Sequence, residues 1–149
     1  MPLPVLLAAV AAAIFAVLGA IHVYWALGGR RGAAVSFPDA WRAGPAHAPA
    51  RRLRPTPLAT LAVALALFAA AGVLLGRAAA LAFLPGWVYR AGTWALALLF
   101  LARAMGDFRT VGFFKTRRGS PFATWDTRLF SPLCLGIAAL AGAVAWLAP

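Results

Sequence analysis

The chain has almost no negative charge. Asp and Glu together number 3, against 14 Lys and Arg, for a formal net charge of +11. Charge of either sign is also scarce, at 11% of residues, where a soluble domain carries roughly 25%. Hydrophobic residues make up 64% and the mean hydropathy is +0.86. A chain of 149 residues has too much surface for so few charges to solvate, so an ordinary soluble domain is excluded and lipid must face most of it. Cysteine is nearly absent too. The single Cys134 excludes an internal disulfide and any Cys-rich metal site, and its apolar run marks it as a small core hydrophobe.

What is present is a set of long apolar runs. The first, Leu3 to Leu27, is free of formal charge and long enough to cross a hydrocarbon core of roughly 30 Å with some tilt. A cleavable signal peptide would need a basic segment ahead of it, and the first cation is Arg30, beyond it. It therefore reads as a retained helix, stopped by Gly28-Gly29. The second run, residues 58–76, opens behind Pro55 and Pro57. Residues 78–84 either extend that helix or lie in the interface. The third, residues 87–106, includes Arg90 near one end, able to snorkel, with Trp87 and Tyr89 placed for an aromatic belt. The fourth, residues 129–148, follows Asp126 and Thr127, which are placed to cap it, and carries Pro132 in its first turn. The expected fold is all-α, a single integral membrane bundle of four transmembrane helices.

Cations set the orientation. The first loop holds Arg30, Arg31, Arg42, Arg51, Arg52 and Arg54, and the third holds Arg109, Lys115, Arg117, Arg118 and Arg128, with Arg103 at its edge. The middle connection has only Arg77 and Arg90. Retention of Lys and Arg on the cytoplasmic side puts both basic loops inside and both termini outside. That rule also accounts for the net charge without nucleic acid, since no basic helix or aromatic-basic sheet pattern is present. The bilayer itself is the expected partner, with anionic headgroups meeting the basic face. The aromatic-cationic segment Phe108 to Lys115, continuing through Arg117 and Arg118, reads as an interfacial anchor to those headgroups. Gly72 and Gly76 form a G-x-x-x-G step of the kind that lets helices approach closely in a homo-oligomer, although such spacing arises easily in so small-residue-rich a chain.

A polar cluster gathers at the predicted cytoplasmic ends. His22 lies about two turns before the end of the first helix, with Trp25 on the same face. Arg103 and Asp107 are four apart and can meet; Asp126 precedes the fourth helix beside Arg128. One reading is structural: Arg103 with Asp107, and Asp126 with Arg109 or Arg128, tie helix ends together, while His22 bonds a backbone carbonyl. The other is a cytoplasm-facing pocket of His22, Trp25, Arg103, Asp107, Arg109, Asp126 and Arg128, in which arginines hold a carboxylate or phosphate bidentately. A membrane enzyme would use His22 as its acid or base, since it alone titrates near neutrality. An accessory subunit of a larger complex would need neither.

Several strings resemble a known bacterial family: His22 to Gly29 (HVYWALGG), Arg103 to Arg109 (RAMGDFR), Gly112 to Lys115 (GFFK), and Asp126-Thr127-Arg128 followed by Ser131 to Leu135 (SPLCL). Together they are similar to small four-helix membrane proteins catalogued only as a domain of unknown function. The resemblance covers essentially the whole chain. It implies a four-span bundle in the bacterial inner membrane and supplies no activity, substrate or cofactor. Other small membrane machines lack their parts here. There is no Cys-x-x-Cys pair for thiol oxidation, and His22 alone of two histidines lies in an apolar run, too few for two haems. No carboxylate sits at mid-membrane for a proton-coupled exporter. The polar second-helix signature of glutathione-using membrane enzymes, serine-hydrolase motifs and a P-loop are likewise missing.

Overall fold

The computed structural model describes residues 1–36 and 55–148, and among these every regular element is helical, with no strand. The expectations for Arg42, Arg51, Arg52, Arg54 and His47 in loop one lie outside the described residues. Four long helices follow in chain order: α1, Leu3–Ala26; α2, Pro57–Ala78; α3, Gly86–Met105; and α4, Pro121–Leu147. Three of them, α1, α2 and α4, are long and apolar enough to cross a membrane. The fourth, α3, has 20 residues but carries Arg90 in its second turn and Arg103 in its last.

The helices form a ring in which each packs on its chain neighbour and α4 closes back on α1. Alanine and glycine make this possible without bulky spacers. Ala8, Ala11, Ala70, Ala97 and Ala141 sit in the core with Phe15, Leu74, Ile137 and Val144. Small side chains bring backbones together, which is how helices gain dispersion contact when hydrophobic burial is not available as a driving force. At Gly19 the ring of Phe68 occupies the place of a side chain: a Cβ there would stand 2.8 Å from its Cζ. Phe15 and Phe100 tilt against each other at 5.3 Å between ring centres. The outward faces are apolar as well, with Val17 61%, Leu65 62% and Leu98 62% exposed, as expected where the surroundings are acyl chains.

Local chemistry sets the ends. Thr56 caps α2, its hydroxyl accepting from the Ala59 N–H at 3.1 Å, and Pro57 follows at the first helical position. Of residues 78–84 only Ala78 belongs to α2; beyond it Leu81 N–H returns to Gly76 O at 3.0 Å and the chain turns through Ala80 at φ +50°. Gly76 is occupied within the chain by the ring of Tyr89, where a Cβ would overlap it, whereas Gly72 faces open space. Tyr89 is therefore buried at 6% exposure and takes no place in an aromatic belt; Trp87, at 73%, does project.

The start of α4 departs from expectation. The helix begins at Pro121, capped by the Ser120 hydroxyl accepting from Ala123 N–H at 3.1 Å, so Asp126 and Thr127 are not its caps. A π turn over Asp126–Phe130 joins the capped segment to Ser131–Leu147. Pro132 explains it. A proline inside a helix has no N–H to give and its ring crowds the carbonyl four residues back, so the wider turn just before it absorbs the misfit.

Candidate functional site

The polar cluster is built by the way α3 stops. Gly106 ends it at φ +89° and ψ −167°, a conformation essentially reserved for glycine. The chain then loops back so that Gly112, at φ +88°, lies against Gly106; a Cβ on either would overlap the other's neighbouring backbone. Asp107 holds the loop shut. Its Oδ1 accepts the backbone N–H groups of Arg109 at 2.9 Å, Thr110 at 2.6 Å and Val111 at 2.9 Å, and its Oδ2 accepts the Thr110 hydroxyl. Phe113 N–H reaches Ala104 O at 2.8 Å, satisfying a carbonyl that the end of a helix would leave orphaned. Desolvation alone would raise the Asp107 carboxyl, but the Thr110 hydroxyl and the three backbone donors outweigh it and hold the group well below the usual carboxylate range.

This closure aims the Gly112 N–H at α4, where the Asp126 carboxylate is wholly buried. Oδ2 of Asp126 accepts Gly112 N–H at 2.8 Å, Lys115 Nζ at 2.9 Å and the Ser131 hydroxyl at 3.1 Å. Oδ1 accepts Arg103 Nη2 from α3 at 2.8 Å. An ionised carboxylate offers about four lone-pair positions, and Asp126 receives four donors. Lys115 is equally committed: besides Asp126, Nζ donates to Gly112 O at 2.9 Å and Thr127 Oγ1 at 2.6 Å.

The expected pairings are thus rearranged. Arg103 pairs with Asp126 and not with Asp107, because Asp107 is turned back into its own loop. Arg109 and Arg128 are exposed and make no salt bridge to Asp126, whose bonding positions are filled by donors from the loop and α3. Lys115 lies inside the bundle at 2% exposure and so is no headgroup anchor. Sequence reading placed it among the surface cations; the one signal available was that it is the sole lysine among thirteen arginines, 14 cations in all.

His22 behaves as the structural reading expects, its Nδ1 standing 2.8 Å from Leu18 O. The Trp25 ring meets it edge-on at 5.1 Å, and the Trp25 indole N–H donates to Arg31 O at 2.8 Å, fastening the start of loop one. Among the described residues no hydrogen bond joins His22 or Trp25 to Arg103, Asp107, Arg109, Asp126 or Arg128.

Two properties of the cluster bear on chemistry. Two cations share one carboxylate, leaving a surplus positive charge in a region closed to water at Lys115 and Asp126. Arg103 is also only partly used: Nη2 has its acceptor, Nη1 is buried without one, and the side chain is 33% exposed. Beside it lies an aromatic and basic surface. Phe108 and Phe114 stack at 6.2 Å with 57% and 60% exposed, flanked by exposed Arg109, Arg117 and Arg118. Among the described residues no three His, Cys, Asp or Glu side chains gather as a metal site.

Comparison with curated proteins found no match, and comparison with solved structures found none. A family described as "Protein of unknown function (DUF3995)" matches residues 13–141, a stretch that includes all four long helices in whole or in large part, the Asp107 loop and the Asp126 cluster. The chain belongs to that DUF3995 family.

Proposed function

We propose that this is a four-span protein of the cytoplasmic membrane, termini outside, that binds a small anionic group at its basic end and does no chemistry on it. The observation that carries this reading is the incompletely used Arg103 guanidinium, held in place by Asp126 yet with donors to spare and one uncompensated positive charge around it. A planar fork so fixed suits a carboxylate or phosphate. Catalysis is poorly served: Asp107 and Asp126 are saturated with donors, and His22 is turned to a carbonyl of its own helix. The exposed Phe108, Phe114, Arg109, Arg117 and Arg118 suit contact with anionic headgroups, and α3 completes the fourth crossing with Arg90 and Arg103 at its two ends.

The test is a thermal melt of the purified protein with and without inorganic phosphate, a soluble carboxylate or anionic lipid. Wild type is expected to gain stability, by about 2.7 kcal/mol at a hundredfold excess over Kd. Arg103→Lys keeps the charge beside Asp126 and loses the fork, so it should fold and lose much of the gain. A gain undiminished in Arg103→Lys refutes the reading. A second reading is favoured by the saturation of Asp126: the cluster serves only to lock helix ends. It predicts no gain with any anion and a loss of stability in every variant of the cluster.

A further inference from the structure

The end of the bundle opposite Arg103 carries features that the cluster does not explain. Between α2 and α3 lies an open recess of about 170 Å³ lined by Gly76, Arg77, Ala80, Leu81, Gly86 and Tyr89. Arg77 is the only cation in its wall. Its Nη2 donates to Ala148 O at 2.8 Å, which pins the guanidinium in place, while its Nε is buried with no acceptor. Tyr89 is nine-tenths buried, and its hydroxyl makes no hydrogen bond among the described residues. Gly86 opens α3, and no side chain caps that end. The first N–H groups of a helix carry about half a positive charge when left uncapped. Both described acids of the chain, Asp107 and Asp126, stand beyond the far end of α3, about 30 Å away at 1.5 Å per residue. The Arg77 guanidinium, the Tyr89 hydroxyl and the start of α3 therefore meet in one recess whose lining holds no acidic side chain.

We propose that this recess is a phosphate site, distinct from the Arg103 cluster. The Arg77 guanidinium and the Tyr89 hydroxyl supply the hydrogen bonds, and the start of α3 supplies the field. Gly76 is required because the Tyr89 ring occupies the space of its side chain. The turn carries Ala80 at φ +50°, where an L residue is held against its preference. Leu81 in its wall is 42% exposed and Phe83 in the same turn 87%, so the phosphate has two sources: the headgroup of a phospholipid whose chains lie along α2 and α3, or the free ion.

The experiment uses the full chain in detergent and reads bound lipid by native mass spectrometry, with phosphatidylglycerol, diacylglycerol and inorganic phosphate as separate probes. Wild type should hold phosphatidylglycerol and not diacylglycerol, which has the chains without the phosphate. Tyr89→Phe leaves the ring on Gly76 and removes only the hydroxyl; Arg77→Lys keeps the charge and removes the planar guanidinium. Both are read in an Arg103→Lys background, which removes the other proposed anion site, and each should weaken retention about tenfold, the worth of one hydrogen bond to a charged group. The same pattern with inorganic phosphate, and none with lipid, assigns the site to the free ion. Retention unchanged in both variants, or no binding of either phosphate probe by wild type, overturns the proposal.

Discussion

Lys115 Nζ stands 2.9 Å from Asp126 Oδ2, and both side chains are sealed from solvent at 1% and 0% exposure. Neither ion is reachable by water, so each depends on the other and on the bonds around them for its charge.

Asp126→Asn should therefore cost about 3–5 kcal/mol, since it strands Lys115 and half of Arg103 without a counter-charge. Lys115→Met alone should also destabilise. The double variant should lose clearly less than the two single losses added, because its remaining carboxamide faces one cation fewer. Denaturant or thermal unfolding of the four proteins in one detergent measures this; strict additivity would mean that the pair is not coupled.

Gly106→Ala should lose at least about 3 kcal/mol, combining a backbone region closed to side chains with overlap on Val111 O. Gly119→Ala is the control, because φ is +99° there but a Cβ meets open space, and about 1 kcal/mol is expected. Equal losses in a thermal melt would show that conformation, and not close approach of the loop strands, sets the requirement.

The low Asp107 carboxyl gives a pH dependence of fixed sign. Folding lowers the value from about 3.9, so the unfolded chain binds the proton more readily. The stabilisation is present above pH 4 and fades as the pH falls towards the folded value. The stability difference between wild type and Asp107→Asn should thus be flat from pH 8 to 5 and shrink below 4. A difference that grows on acidification would contradict the assignment.

Orientation is open to single-cysteine labelling in a Cys134→Ser background. Ser36→Cys and Gly119→Cys should be protected from a membrane-impermeant thiol reagent in intact cells, and Phe83→Cys should be modified. Labelling of Gly119→Cys from outside would mean that α3 does not cross.

The helices were legible because length and apolarity alone define α1 and α2, and Pro57 behind Thr56 marks a start that needs no tertiary context. The start of α4 was not. Asp126 and Thr127 have the look of caps, and only the packing of Asp126 against Gly112 and Arg103 shows that the carboxylate is bonded elsewhere. The cluster was legible in membership but not in pairing. Spacing of four made Arg103 and Asp107 natural partners, yet that rule holds only while the helix continues, and Gly106 interrupts it. Lys115 was misplaced because a charge pattern cannot tell a surface lysine from one buried against a carboxylate contributed from eleven residues away.

The π turn has a further effect on how α4 is to be compared with other sequences. One residue more than an α-helix needs advances every later position by about 100° around the axis. A helical wheel drawn without a break through Pro121–Leu147 therefore assigns one half of the helix to the wrong face. A relative that lacks a single residue between Asp126 and Phe130 would align with one short gap, yet its Ser131 and Ile137 equivalents would swing out of the bundle unless the proline were lost with it. Deletion at this place and replacement of Pro132 should thus occur together or not at all.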